Sequence, residues 1–282
     1  VDLSGNVIGV RADTGTQIIG ESLKSLLRLK SLDLSLNVIG YQGDEGVQAI
    51  GESLKSLLRL KSLDLSDNWI GYTGDNGTQV IGEGLRSLTN LQTLGLSQSY
   101  IGYSGDNGTQ AIGESLKYLT QLQTVDLSYN QIGSTGDDGI IAIGESLPYL
   151  TNLQNVDLYH NAIGGIGAQS FFNALPQLIC HAPNLTALNL QYNNFTGIPW
   201  SQTASALEGQ YSGQIQQACE KNRCFGTPIT QNQTAIQCNA MQNLNNQLIP
   251  LEQENCPIPI AGASSLSSPF MMSFFMMSQR SG

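Results

Sequence analysis

Charge is in short supply in this chain. Only 12% of its 282 residues are Asp, Glu, Lys or Arg, and the balance is acidic, at −10. A nucleic-acid-binding surface needs clustered Lys and Arg to replace phosphate counterions, so that class of partner is disfavoured. Long apolar runs are missing as well. Nothing approaches the roughly 18–20 residues that span a bilayer, and the strongest candidate, residues 270–277 (FMMSFFMM), is far too short. Histidine occurs only at His160 and His181, and no serine or cysteine sits in a nucleophile motif. The recurring G-D-x-G turns, such as residues 105–108, lack the alternating carboxylates of a calcium loop. The expectation is therefore a non-enzymatic chain with no cofactor and no metal site.

Cysteine is absent before Cys180 and then appears at Cys219, Cys224, Cys238 and Cys256. In an exported protein the last four suffice for two disulfides; in a reducing compartment they stay thiols. Asn-x-Ser/Thr sequons at Asn76, Asn107, Asn184, Asn194 and Asn232 matter only on a eukaryotic secretory route.

What is present is a repeat. Short apolar phrases begin at Val1, Leu32, Leu63, Leu94, Val125 and Val156, a constant spacing of 31 residues, and a degraded seventh begins at Leu188, one residue late. Such a period means a solenoid, each unit burying its apolar face against its neighbours. In repeat two, Leu32 and Leu34 alternate with Ser31, Asp33 and Ser35, the pattern of a half-buried strand. Ile39 returns to the core, and Gly40, Gly43 and Gly46 mark a turn. Asp44 is placed to cap the next helix. Ile50, Leu54, Leu57 and Leu60 then recur at helical spacing. Successive strands must be parallel, and the wider spacing of helices curves the stack with the strands inside. Gly20, Gly51, Gly82, Gly113 and Gly144 interrupt the helices; glycine costs about 1 kcal/mol there, so close helix packing is the expected compensation.

The L-x-x-L-x-L-x-x-N-x-I-G phrase, as in residues 60–71 (LKSLDLSDNWIG), resembles a leucine-rich repeat, and the full helix in each unit resembles the ribonuclease-inhibitor-like subfamily. The resemblance covers residues 1–197 and implies an α/β horseshoe, with parallel strands on a concave, protein-binding face and helices on the convex face. It also implies that Asn37, Asn68, Asn130, Asn161 and Asn193 form a structural ladder bonding the backbone of neighbouring turns. The departure is length: 31 residues exceeds that subfamily's usual repeat, and the surplus falls in the glycine-rich turn, enlarging one rim.

Alternation places Asp33, Asp64, Asp126 and Asp157 in one row of the concave face. An aspartate stripe points to a basic partner, while Leu-Asp-Leu-Ser is also common repeat phrasing. Lys30 and Lys61 offset this charge only in the first repeats. Residues 19–35 and 50–66 share the same IGESLKSLLRLKSLDLS, so departures from the template show where the surface is individual. Those departures include Trp69, Tyr100, Tyr129, Tyr159, His160 and Tyr192, read as one aromatic edge suited to binding a protein. Scattered exposed aromatics are equally normal.

Residues 198–256 read as a Gln/Asn-rich, cysteine-containing helical cap, with helical spacing over Ala204–Ala218 and Ile236–Leu248; residues 257–282 read as a disordered tail. Val1 falls inside a repeat, so the chain reads as a fragment with apolar surface exposed on repeat one. The leading functional expectation is a protein-interaction scaffold, its oligomeric state open. The alternatives are a regulator of the Ran GTPase-activating-protein type, or a secreted or surface adhesin or effector. A bacterial protein aimed at host targets is the analogy behind the last of these, with a cytoplasmic location as the competing one.

Repeat four departs furthest, with Gly95 in the aspartate row and Ser99 in the asparagine row. A serine is shorter and leaves a backbone group to water, at about 1–3 kcal/mol if that group stays buried. The turn over residues 97–103 should therefore exchange its amides faster than the same turn in repeats three and five. Equal hydrogen-exchange protection in all three would contradict this.

Overall fold

A computed structural model describes residues 1–11, 13–182, 184–194, 223–224 and 227–228. Helix and strand alternate: α1 Thr14–Leu23, β1 Ser31–Asp33, α2 Glu45–Leu54, β2 Ser62–Asp64, α3 Asn76–Leu85, β3 Thr93–Gly95, α4 Asn107–Leu116, β4 Thr124–Asp126, α5 Asp138–Ser146, β5 Asn155–Asp157, α6 Gly165–His181 and β6 Ala187–Asn189. The six strands form one parallel sheet in chain order. Ser31 pairs with Ser62 and Ser62 with Thr93, so the register is the sequence period itself. Asp2 adds a bridge to Asp33 at one edge. Two short antiparallel strands, β7 Arg223–Cys224 and β8 Thr227–Pro228, are also described. The remainder of the expected cap and the tail, with Cys219, Cys238 and Cys256, lies outside the described residues.

Each strand of the six-stranded sheet is only three residues long, and its middle residue is buried while its neighbours face outward. The core is one continuous strip between sheet and helices. In repeat two Leu32, Leu34, Ile39, Ile50, Leu54, Leu57 and Leu60 are all at most 1% exposed. The apolar stripe read as one helix is cut short, however. α2 stops at Leu54, and Leu57 and Leu60 lie in tight turns closed by Leu57 N–H to Leu54 O and Leu60 N–H to Leu57 O. These three-residue steps still return a leucine to the core at each turn, so the burial pattern outlasts the helix. His181 is the last residue of the longer α6.

Helix N-termini are capped across repeats rather than within them. Asp44 caps no backbone N–H of its own helix, where it accepts only from the Gln48 side chain at 3.3 Å. Its carboxylate instead accepts the Gly77 N–H, in the first turn of α3, at 2.7 Å. Asp13 does the same for Gly46, Asp75 for Gly108 and Asp106 for Gly139. The cap residue has helical backbone angles (Asp44 φ −101°, ψ −14°), unlike the extended conformation that folds a capping side chain back onto its own turn. A carboxylate at the positive end of the next helix also complements its dipole.

The helix-interior glycines sit where neighbouring helices meet. A Cβ on Gly82 would lie 2.6 Å from the backbone carbonyl carbon of Ala111 and the nitrogen of Ile112, and one on Gly51 2.7 Å from the nitrogen of Ile81. Gly82→Ala should therefore destabilise the fold by about 1–3 kcal/mol in urea unfolding, despite alanine's better helix propensity. Gly15→Ala provides the control, since nothing lies within 4 Å of its Cβ position. It should be neutral or stabilising by up to about 1 kcal/mol; equal effects at both sites would refute close helix approach as the cause.

Candidate functional site

The concave face begins with strands too short to satisfy their own ends. At the ends of β1, β2, β4 and β5 the aspartate accepts the N–H two residues on: Asp33 from Ser35 at 2.9 Å, Asp64 from Ser66 at 2.9 Å, Asp126 from Ser128 at 2.9 Å and Asp157 from Tyr159 at 2.8 Å. These carboxylates are partly buried and locally engaged, which supplies a structural reason for the Leu-Asp-Leu-Ser phrase. Burial raises the Asp157 pKa above the ordinary aspartate value, with Asp126 adding to the rise and the Tyr159 N–H opposing it. Asp67 is raised by burial and by the charges of Asp64 and Asp126. Gly95 leaves a gap in the row, and Asp64 leans into it, its Oδ1 2.7 Å from where a Gly95 Cβ would be.

Three residues beyond each strand's aspartate position, the chain turns through a left-handed conformation in every repeat. Gly5, Leu36, Asp67, Gln98, Tyr129, His160 and Tyr192 all have φ between 50° and 65°. Glycine takes this conformation freely, whereas other residues are strained by about 1–2 kcal/mol. Yet only repeat one uses glycine there.

The next residue, an asparagine, binds two repeats at once. Asn130 donates to the carbonyls of Leu96, Leu127 and Ser128 and accepts the N–H groups of Ser99 and Ile101. Asn37, Asn68, Asn161 and Asn193 occupy equivalent places, each donating to a carbonyl of the preceding repeat and accepting an N–H from it.

Ser99 breaks the series as its shortness implies: the Ile39, Ile101, Ile132 and Ile163 N–H groups each reach a ladder amide oxygen, and the Ile70 N–H has none to reach. Ser99 is fully buried, and its hydroxyl is within bonding distance of the Leu65 and Ser97 carbonyls. Lacking an amide oxygen, it offers its backbone carbonyl to the Gly71 N–H at 3.1 Å instead. The next residue, Tyr100, takes φ 58°. Its ring stacks on Trp69 with centroids 4.7 Å apart.

The aromatic residues divide into two clusters rather than one edge. Trp69 and Tyr100 join Tyr41, Tyr72 and Tyr103 on the glycine-rich turn, with Tyr72 5.6 Å from Tyr103 and 6.2 Å from Tyr41. Trp69 and Tyr100 are half-buried there, and burial pushes the Tyr100 phenol up to about 12, helped by Tyr72 and Tyr103. The second cluster holds Tyr129, Tyr159, His160 and Tyr192. Tyr129 and His160 stack at 5.1 Å, His160 and Tyr192 at 6.3 Å, and Tyr159 leans across Tyr129 and Tyr192 at 5.0 and 4.9 Å. No ring contact joins the two clusters among the described residues. Position relative to the ladder accounts for the split. Trp69 and Tyr100 come after the ladder position and ride on the turn, whereas Tyr129, His160 and Tyr192 precede it. Tyr41, Tyr72 and Tyr103 escaped the sequence reading, although their own 31-residue spacing after Ile-Gly marks them as a row.

A parallel-strand, helix-backed stack with a buried asparagine ladder defines a class of repeat solenoid, and comparison identifies the repeats. Residues 29–51, 60–74, 118–144, 149–172 and 181–198 match the family described as Leucine Rich repeat. The described stack is a leucine-rich-repeat solenoid, a construction whose members generally serve as protein-interaction scaffolds. Among solved structures the chain is similar to a leucine-rich-repeat protein of Leptospira interrogans, at 18% identity over 65% of this chain and 48% of that one, with a TM-score of 0.34. The chain thus spans about half the length of that protein. None of the curated proteins matches it. No helix among the described residues is long and apolar enough to cross a membrane.

The inter-repeat aspartates carry a pH dependence. Asp13, Asp44 and Asp106 all have raised pKa values, burial being the largest cause and the Gly46, Gly77 and Gly139 N–H groups opposing it. Asp44 Oδ1 and Asp106 Oδ1 are buried without a bonding partner. A raised acid pKa means that the folded state holds its proton more firmly than the unfolded chain. The contribution is then largest below the ordinary value of 3.8 and is lost as pH rises through the raised values. Thermal midpoints should accordingly fall between about pH 4 and about pH 7. Asp44→Asn, which keeps the acceptor and removes the charge, should flatten that decline and raise the midpoint at neutral pH. A midpoint that rises with pH in the wild type would refute this.

Proposed function

We propose that this solenoid is a non-enzymatic scaffold that binds a protein partner through its concave strand face and the adjoining turn-side rim. The observation that carries the reading is the left-handed row. Six repeats place Leu36, Asp67, Gln98, Tyr129, His160 and Tyr192 where glycine would cost less. The core positions of the same repeats hardly vary, so the strain is spent on differing side chains at the surface, as binding requires. The aromatic clusters add large contact areas that lose little entropy on binding. The helix in each repeat further supports assigning the stack to the ribonuclease-inhibitor-like subfamily.

The test exploits the strain. Replacing the six non-glycine residues of the row by glycine should raise stability, because glycine relieves the backbone at each turn. In a photo-crosslinking experiment from Tyr103 and Ser97, the same variant should lose the partner adduct by about tenfold or more. Adducts formed only from convex positions such as Glu83, or unchanged adducts in the glycine variant, would overturn the reading.

A further inference from the structure

No Lys or Arg occurs between Lys117 and Lys221. Repeats five to seven therefore carry Asp126, Asp137, Asp138, Glu145 and Asp157 with no permanent cation of their own. Asp126 and Asp157 lie on the strand face, close in sequence to the second ring cluster. Their strands are adjacent and in register, with Asp126 paired to Asp157, so about 4.8 Å separates the two backbones. The ion pairs Lys24–Glu21, Lys55–Glu52, Lys55–Glu83 and Arg86–Glu114 all lie on the helix side. The two concave aspartates have only neutral partners, Asp126 in Ser128 and Asp157 in Tyr159 N–H and the Asn189 amide at 3.3 Å, and the charge of Asp126 raises the Asp157 pKa further.

Three residues past the last position of β4, β5 and β6 come Tyr129, His160 and Tyr192, stacked along the sheet, with Tyr159, whose N–H bonds Asp157, across the stack. Tyr129 and Tyr192 are 49% and 46% exposed, although each occupies the strained left-handed position. An apolar partner surface laid here would strip water from two carboxylates and offer them no counter-charge, which is costly. An acidic partner would be repelled outright. A partner that supplies planar cations meets both halves of the surface, because a guanidinium lies flat on aromatic rings and forms paired hydrogen bonds to carboxylates.

We propose that the ring cluster of Tyr129, Tyr159, His160 and Tyr192, with Asp126 and Asp157, is an arginine-binding platform that receives an extended basic segment of the partner protein. The inference rests on the scaffold reading and adds the chemistry and the place of contact. Asp126 and Asp157 supply the counter-charge, and the tyrosines supply the surface on which the guanidinium groups lie. The turn-side cluster, in which Trp69 and Tyr100 are half-buried and Tyr41, Tyr72 and Tyr103 exposed, contributes shape rather than charge recognition.

Fluorescence anisotropy with the full chain tests this, using as probe a labelled peptide that alternates arginine with glycine. The peptide should bind saturably and more weakly at high salt, and its citrulline counterpart, which keeps the shape and loses the charge, should not bind. Asp126→Asn with Asp157→Asn retains an oxygen to accept the Ser128 and Tyr159 N–H groups and gives up only the 3.3 Å Asn189 contact, so an unchanged thermal midpoint should accompany a fall in affinity of about tenfold or more. Tyr129→Gly with Tyr192→Gly, tolerated at left-handed positions, should produce a similar loss. Glu83→Gln with Glu114→Gln on the helix side should leave binding unchanged. Binding of the citrulline peptide, indifference to the aspartate variant, or equal loss in the helix-side variant would each overturn the proposal. If the arginine peptide fails while the crosslinked adduct persists, only this inference falls; if both fail, the scaffold reading falls with it.

Discussion

A buried peptide group must be hydrogen-bonded, and strands of three residues cannot meet that demand by sheet pairing alone. The structure answers with side chains that reach from one repeat into the next. Asn130 alone engages five backbone groups, three of them in the preceding repeat. Asp44 and its equivalents close the other side of the repeat by capping the helix of the next one. No repeat is complete by itself, since each supplies a group that its neighbour lacks. This makes the stack cooperative along one dimension and explains why the asparagine and the turn aspartate recur so faithfully.

The same constraint shapes the surface. With the core and the inter-repeat bonds assigned to fixed positions, the outward side chains can change without disturbing the stack. The left-handed row is the clearest case, carrying leucine, aspartate, glutamine, tyrosine and histidine on one backbone geometry. Ser99 is the case in which a ladder residue itself changes. Its backbone carbonyl takes the Gly71 N–H, and the next residue, Tyr100, adopts φ 58°, as Val7 does at 59° after Asn6, and rests its ring on Trp69.

Much of the fold was legible in the sequence because both periods were visible there. Leu32 and Leu34 reveal the strand, and the constant 31-residue interval equals the sheet register between Ser31 and Ser62. Gly51 and Gly82 announced helices in close approach, and their Cβ positions do fall on the next helix. What misled was the reach of side chains beyond their own repeat. Asp44 reads as a local cap from its neighbours, yet its acceptor role lies 33 residues ahead. Leu57 and Leu60 keep helical spacing although the helix has ended, because tight turns bury leucines at the same interval. Trp69 and Tyr129 look alike as departures from a template, but they stand on opposite sides of the asparagine and belong to separate clusters.

Sequence alone determined the repeat, its strand–turn–helix content, the buried leucines and the absence of Lys and Arg from Tyr118 to Glu220. These come from local periodicity and composition, which a linear reading can count. Tertiary structure decided which residues share a surface: that Tyr41, Tyr72 and Tyr103 join Trp69, that His160 lies between Tyr129 and Tyr192, and that helix caps cross between repeats. Those contacts mostly join positions about one repeat apart in the chain, and their geometry depends on backbone angles that residue type does not specify. The left-handed φ at Tyr129 and His160 is the plainest example, set by the turn that the neighbouring repeats impose and not by the residues that adopt it.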